Sequence, residues 1–378
     1  MSQGTRRGFL ASCAGLPLAA QTPAAQLSWQ PAYLFDEDDR QLALLDASFY
    51  STRAAVAVGL LNDKGRIKPA SLRTTDGGST WSPAPLKPTP FSVQFLDEAS
   101  GWMAAENGIY KSTDAGQNWK RVHKSSHVRQ VRFATQERGY AAGMERTLLQ
   151  TADGGRTWKP LPVAEEIKTP KEYTYLSWIE LPTPTLGFVV GGYVSPRRAR
   201  RDQLPAWIDP PAAERHRQPP SLTIVLQTID GGATWKAMTS SIFGRVTRLR
   251  VNARGVGLSL VEFDDGFSFP GEVFQLDLGA TKTERIFREA ERAVTDVYCL
   301  DDGTFLLAAI ETPGKLRTAP IPGKVHMLRG DRRGQWTEMP VDYRVTARRV
   351  SFFQAPGSWP MAVTDAGMVL RFAPEAGR

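Results

Sequence analysis

Short apolar runs separated by polar turns dominate the body of the chain. In three successive places, a short apolar run is followed by a polar turn and by a second apolar run that opens with Gly and an aromatic residue. These paired runs are residues 93–95 with 101–104, 131–133 with 139–143, and 176–178 with 187–191. Such pairs predict antiparallel strands. No long amphipathic helical pattern with caps occurs, so the pattern predicts an all-β fold.

An eight-residue pattern keeps step with these paired runs. It consists of a hydroxyl residue, any residue, Asp, any residue, Gly, two further residues and Trp. The four copies are marked by Asp76 and Trp81, Asp114 and Trp119, Asp153 and Trp158, and Asp230 and Trp235. Successive Asp positions lie 38, 39 and 77 residues apart. Four copies at a regular spacing indicate an internal structural repeat.

The residue types of this repeat are those of a tight hairpin. An Asp carboxylate and a Ser or Thr hydroxyl accept hydrogen bonds from turn N–H groups that the strand ladder leaves unpaired. Gly supplies a positive φ where other residues are strained. The Trp packs its ring into the core and anchors the turn.

The repeat resembles the Asp-box, or bacterial neuraminidase repeat, of sialidase-like β-propellers. In that family the box joins the two outer strands of a blade and lies away from any active site. The resemblance therefore implies that these Asp and Trp residues are structural. It also implies that the Asp side chains are neither catalytic acids nor metal ligands.

A period near 38 residues with three or four strands per unit predicts propeller blades. The 77-residue gap is explained by an insertion of about 29 residues in the fourth blade, at about 193–220. Beyond Trp235 the strand rhythm continues in residues 246–276, 294–336 and 345–372, and the last unit stops one strand short. Residues 27–31 look like the segment immediately after each box, so we expect the N-terminus to supply the missing outer strand. The prediction is one seven-bladed β-propeller over residues 27–378.

Residues 1–26 are predicted to be an export signal. The segment from Thr5 to Leu10 contains Arg6 and Arg7 and resembles the twin-arginine motif, and a short apolar run comes after it. That run is too short to span a bilayer as a helix. The signal predicts a periplasmic location. A lipoprotein anchored through Cys13, and a basic N-terminus that is never exported, remain as alternatives.

Composition and cysteine content narrow the function classes. The 378-residue chain is 41% hydrophobic with a formal charge of +8, which suits a large core and an acidic or anionic partner. Nothing indicates a nucleic-acid partner. Only Cys13 and Cys299 occur, so the mature fold contains no disulfide. Cys299 lies in an apolar strand-like segment and is predicted to be a buried, inert thiol.

Catalysis and metal binding find little support in the sequence. Sialidase-type enzymes need three convergent Arg, a Tyr nucleophile paired with Glu, and an Asp acid. The segment 66–69 (Arg-Ile-Lys-Pro) is a broken form of their early motif, and no Tyr and Glu pair can be assigned. The four His are scattered, and the acidic run at 36–39 lacks the spacing of a calcium loop. No catalytic residue, metal ligand or cofactor is predicted.

The positions of the arginines indicate a binding function more strongly than any residue pattern indicates catalysis or metal binding. Arginines fall in or beside the first strands of blades three, five and seven, and first strands line the axis of a propeller. The candidate partner-binding residues are Arg129, Arg132, Arg248, Arg250, Arg348 and Arg349. They could converge at one mouth of the channel and bind an acidic peptide, or each could pair with a local carboxylate. Trp207 in the insertion is a further candidate anchor, although the insertion could equally be a spacer.

An exported seven-bladed Asp-box propeller with axial arginines and no catalytic set resembles the photosystem II stability and assembly factor family. In that family the propeller binds a photosystem subunit precursor and helps it to assemble. The resemblance implies a non-catalytic assembly or scaffolding factor whose partner is a membrane-protein subunit or an acidic peptide segment. A glycoside hydrolase or lyase and a carbohydrate-binding lectin are the alternatives.

Overall fold

The computed structural model describes residues 27–194, 221–263, 269–311, 321–354 and 359–374, and they form seven antiparallel sheets around one axis. The first strand, β1 (Leu27–Leu34), belongs to the last blade. The strands of the first four blades are β2 (Arg40–Phe49), β3 (Ala55–Asp63), β4 (Arg66–Thr74), β5 (Ser82–Ala84), β6 (Pro90–Phe95), β7 (Gly101–Ala105), β8 (Gly108–Ser112), β9 (Lys120–Lys124), β10 (Val128–Phe133), β11 (Gly139–Gly143), β12 (Leu148–Thr151), β13 (Lys159–Pro160), β14 (Thr174–Glu180), β15 (Gly187–Tyr193), β16 (Ser221–Thr228) and β17 (Lys236–Ile242).

The last three blades contain the remaining strands, and two short helical turns precede blade four. The strands are β18 (Arg245–Val251), β19 (Val256–Glu262), β20 (Gly271–Asp277), β21 (Lys282–Phe287), β22 (Arg292–Cys299), β23 (Phe305–Glu311), β24 (Gly323–Gly330), β25 (Trp336–Met339), β26 (Thr346–Ala347), β27 (Val350–Phe353), β28 (Met361–Thr364) and β29 (Met368–Pro374). The turns are 3-10 helices at Pro162–Glu166 and Lys171–Tyr173. Neither of these turns, the only helices in the described ranges, is long or apolar enough to cross a bilayer.

The inner strands of the seven blades surround the axis. They are β2, β6, β10, β14, β18, β22 and β27, and each contacts the inner strand of the next blade around the closed ring. All seven run in the same direction along the axis, since each blade repeats the same antiparallel order. We call the end where these strands begin, near Arg129 and Arg349, the N-face. We call the end where they finish, near Glu180 and Cys299, the C-face.

The predicted ring closure is confirmed. Strand β1 pairs with β29 from Leu27 opposite Pro374 to Leu34 opposite Met368, so the N-terminus supplies the outer strand of blade seven. The Trp29 N–H donates to the Pro340 carbonyl at 2.8 Å, and the Asp342 N–H donates to the Trp29 carbonyl at 2.8 Å. The strand therefore joins the last blade to the segment that leaves blade six. The Trp29 side chain is completely buried against Phe352 and Phe372.

The eight-residue repeats form hairpin turns between the third and outer strands of the first four blades, on the C-face. In the first repeat, the Asp76 carboxylate accepts the Thr80 N–H at 2.9 Å and the Thr80 hydroxyl at 2.7 Å. The Thr74 hydroxyl donates to Asp76 and accepts the Gly78 N–H at 3.0 Å. These hydrogen bonds lower the pKa of Asp76 to about 2. Gly78 has φ +83°, a conformation that glycine adopts without strain.

Candidate functional site

Five of the six candidate arginines line one axial cavity of about 250 Å³ on the N-face side of the channel. They are Arg129, Arg132, Arg248, Arg250 and Arg349. The cavity wall contains residues of all seven blades, because each inner strand contributes side chains to the axis. Arg348 lies at the rim, where its guanidinium pairs with Asp365, itself a lining residue. These five arginines therefore converge on one cavity, which the sequence alone left undecided.

The arginines also pair with nearby carboxylates, which was the other interpretation of the sequence. Arg132 lies 3.0 Å from the Asp46 carboxylate, and the two side chains are 17% and 18% exposed. Asp46 comes from the inner strand of blade one, so this ion pair joins blade one to blade three. Asp46 also accepts the Ala47 N–H at 3.0 Å and the Val93 N–H at 3.0 Å, and the second bond holds the carboxylate against blade two.

The second cluster surrounds Asp296, whose side chain is 1% exposed. Arg248 stands 3.3 Å from one carboxylate oxygen and Arg250 stands 3.9 Å from the other. Arg250 also lies 3.8 Å from Glu180. The guanidinium groups of both arginines lie over the Trp178 ring, at 4.8 and 4.7 Å from its centroid. Such stacking suits the weakly hydrated guanidinium group.

Burial and charge act in opposite directions on these groups. Burial lowers the pKa of Arg248 despite the nearby Asp296. Burial alone would lower the pKa of Arg250 as well, but Glu180 and Asp296 outweigh it and the pKa is raised. Burial raises the pKa of Glu180, although Arg250 opposes that rise. These ion pairs therefore belong to the channel wall, where each buried charge lies beside an opposite one.

The rim arginines are more exposed. Arg348 lies 2.9 Å from Asp365 and Arg349 lies 3.1 Å from Glu262, and their side chains are 50% and 47% exposed. Arg129, at the opposite side of the cavity, has no ion pair with any residue in the described ranges. Its guanidinium lies 4.5 Å from the centroid of the Phe91 ring, and burial lowers its pKa.

A second cavity of about 620 Å³ opens at the C-face. It is lined by the ends of the inner strands of blades four to seven, including Glu180, Tyr298, Cys299 and Trp359. Arg250 lines both cavities and so separates them along the axis. Among the described residues of its wall, Tyr298 is the one Tyr and Glu180 is the one Glu. Burial raises the pKa of Tyr298 to about 12, which does not suit a nucleophile. Burial also raises the pKa of Cys299 to about 12, as for an inert thiol.

Sequence reasoning missed the acidic partners and the aromatic walls. Asp46 and Asp296 each interrupt an apolar inner strand, and a charge in such a strand must be paired. The sequence therefore indicated that each of these Asp residues needs a charged partner, but it did not indicate which residue that partner is. Trp178 was recognised as part of a strand but not as a platform for arginine. Trp207 and most of the insertion lie outside the described residues, as does the 1–26 segment.

Other candidate sites receive no geometric support. Across the ranges that the structure describes, no group of three or more His, Cys, Asp or Glu side chains is arranged to hold a metal ion. His326 is almost fully buried, and its two ring nitrogens contact Glu311 and Glu338. This contact ties together strands of blade six, away from the axial cavity.

Comparisons with known proteins support the fold. No protein-family model matches the chain, and no curated protein matches it. Among solved structures, YCF48 bound to D1 peptide is similar with a TM-score of 0.58 and 16% identity, covering 90% of this chain and 98% of that one. YCF48 from Cyanidioschyzon merolae gives 0.58 and 17% identity, covering 93% and 100%. The predicted seven-bladed β-propeller is confirmed.

An enzyme also appears among the similar structures. The GH74 xyloglucanase from Xanthomonas campestris has a TM-score of 0.48 and 12% identity, covering 88% of this chain and 61% of that one. This likeness is too weak to argue for glycosidase activity here. All of these identities are low, so the likeness is one of fold.

Proposed function

We propose that this protein is a non-catalytic, exported propeller that holds an acidic segment of a protein partner at its N-face, as an assembly or scaffolding factor. The observation that carries the proposal is the convergence of five arginines on one axial cavity walled by all seven blades. Guanidinium groups suit carboxylate recognition because their N–H donors match the two carboxylate oxygens. The rigid ring of blades holds these donors in place before a partner arrives.

The cavity is small, with a volume of about 250 Å³, near the lower end of the roughly 300–1,000 Å³ that small-molecule sites enclose. That volume suits one or two side chains of a segment lying across the N-face. The structure of YCF48 bound to D1 peptide gives a precedent for a propeller of similar fold that holds a peptide.

The test is affinity capture with a matched control. Residues 27–378 would be used as bait in a detergent extract of the source cells, together with an Arg129→Gln, Arg349→Gln double variant. The control is Arg285→Gln, because Arg285 is 46% exposed and lies 3.1 Å from Glu272, closely matching Arg349 and Glu262. The partner should be retained by wild type and the control and lost from the double variant. Equal capture by all three proteins would refute binding at this cavity.

Export and the insertion belong to the same proposal. Replacing Arg6 and Arg7 with Lys should leave the precursor in the cytoplasm, because the twin-arginine route reads both arginines; an unchanged periplasmic yield would contradict it. Replacing residues 196–219 with a short Gly-Ser link should spare the fold but abolish partner capture if Trp207 is an anchor. Full capture by that variant would make the insertion a spacer.

A further inference from the structure

The sequence alone gives no reason to distinguish the six candidate arginines. In the structure they differ in whether a carboxylate lies close enough to balance the charge of the guanidinium. Five of them lie within 4 Å of a carboxylate: Arg132 of Asp46, Arg248 of Asp296, Arg250 of Glu180 and Asp296, Arg348 of Asp365, and Arg349 of Glu262. Arg129 has no such partner among the residues that the structure describes. Among the residues that the structure describes, six guanidinium groups thus face five carboxylates. The guanidinium that this comparison leaves without a carboxylate is that of Arg129.

The surroundings of Arg129 leave donors available. Its Nη1 atom donates to the Ser126 and Val128 carbonyls, both at 2.9 Å. A guanidinium group has five N–H donors, two of them on Nη1. Within the described parts of the chain, the three donors on Nε and Nη2 have no hydrogen-bond partner. The Phe91 ring at 4.5 Å fixes the plane of the group beside the cavity.

We infer that the axial cavity recognises a single carboxylate, bound by Arg129, and does not recognise a run of acidic residues. This inference rests on the proposed function and names the group that enters the site. One carboxylate would accept the free Nε and Nη2 donors side by side. The aromatic rings of Phe91, Trp178 and Phe352 line the same cavity and suit the apolar stem of the side chain that bears the carboxylate.

A second or third carboxylate gains little in this site. Each would approach an arginine whose charge is already compensated, and it would also approach the carboxylate that compensates it. At the rim these are Glu262 and Asp365, and deeper in the cavity they are Asp46 and Asp296. Burial lowers the pKa of Arg129, and a bound carboxylate would oppose that effect.

Calorimetry with defined peptides tests the inference. The probes are short, acetylated and amidated Leu-Gly-Ser peptides with no Glu, one central Glu or four consecutive Glu, and a Glu-free peptide with a free terminal carboxylate. We expect binding by the one-Glu peptide and none by the neutral one. The four-Glu peptide should bind no more than roughly fivefold tighter, since exposed extra ion pairs contribute little. Comparison of the one-Glu peptide with the free-terminus peptide identifies whether the carboxylate comes from a side chain or a chain end.

Variants locate the interaction. Arg129→Gln should weaken binding of the one-Glu peptide roughly 10- to 100-fold, as for loss of a charge-assisted hydrogen bond. Arg129→Lys keeps the charge and should retain part of the affinity, with an unchanged melting temperature showing that both variants fold. Arg349→Gln should weaken binding less than Arg129→Gln does, because the Arg349 charge is already compensated by Glu262. Arg285→Gln, at an ion pair outside the cavity, is the control that should leave the affinity unchanged.

Two results separate failure of this inference from failure of the proposed function. If Arg349→Gln is as harmful as Arg129→Gln and four Glu bind far more tightly than one, the cavity reads an acidic run and only the inference falls. If neither variant alters the binding of any peptide or the capture of the partner, binding at the axial cavity is wrong altogether.

Discussion

Ring closure by the N-terminal strand gives the sharpest stability prediction. In the Trp29→Ala variant, strand β1 keeps its backbone pairing but loses a fully buried indole ring packed between Phe352 and Phe372. Removal of a buried Trp side chain costs about 3–5 kcal/mol. Since domains of this kind are stable by only about 5–15 kcal/mol, the variant should lose a large fraction of its free energy of unfolding.

Two matched variants isolate the cause. The Trp29 indole N–H has no hydrogen-bond partner in the described ranges, so Trp29→Phe keeps most of the packing and breaks no hydrogen bond. We expect it to lose less than about 1.5 kcal/mol. Leu27, on the same strand, is 48% exposed, and Leu27→Ala should change stability by less than about 0.5 kcal/mol.

The measurement is equilibrium urea unfolding, monitored by Trp fluorescence and circular dichroism. A Trp29→Ala protein within about 1 kcal/mol of wild type would refute the argument that the N-terminal strand locks the ring. Deletion of residues 27–33 is the stronger perturbation, because it also leaves β29 as an unpaired edge next to an apolar seam. That protein should aggregate, and an unshifted melting temperature would contradict the same argument.

Three further predictions concern charged groups. Asp76 has a pKa of about 2 in the folded protein and an ordinary value near 4 when unfolded. The stability that its carboxylate contributes is therefore present above about pH 4 and lost as pH falls towards 2. The melting temperatures of wild type and Asp76→Asn should accordingly differ at pH 7 and converge near pH 2. Arg250→Ala should cost about 3–5 kcal/mol in urea unfolding, because it removes a partner of the buried carboxylates of Glu180 and Asp296. Arg349→Ala, at the rim, should cost less than about 1 kcal/mol. Equal losses would contradict the difference in burial between the two arginines. His326→Ala should lower the melting temperature more than His326→Gln, which keeps a side-chain donor between Glu311 and Glu338, and the reverse order would show that these contacts do not stabilise blade six.

The seven-bladed architecture could be predicted from the sequence because its signals are local. Each eight-residue repeat contains the whole chemistry of its turn, since Asp76 bonds to Thr74 and Thr80 within the same hairpin. The spacing of the repeats then indicated the blade period. The closing strand could be found because residues 27–31 resemble the segment immediately after each box. Turn chemistry and strand alternation act over a few residues, so both can be recognised in the sequence alone.

Only the tertiary structure decided what the arginines do. Arg132 pairs with Asp46, 86 positions away, and Arg349 pairs with Glu262, 87 positions away. These contacts arise because closing the ring places strands of different blades against one axis, and no local pattern specifies which side chains then meet. The sequence determined that arginines would lie near the axis. The folded ring determined that five of six are compensated and that Arg129 alone among them lacks a carboxylate within the described residues.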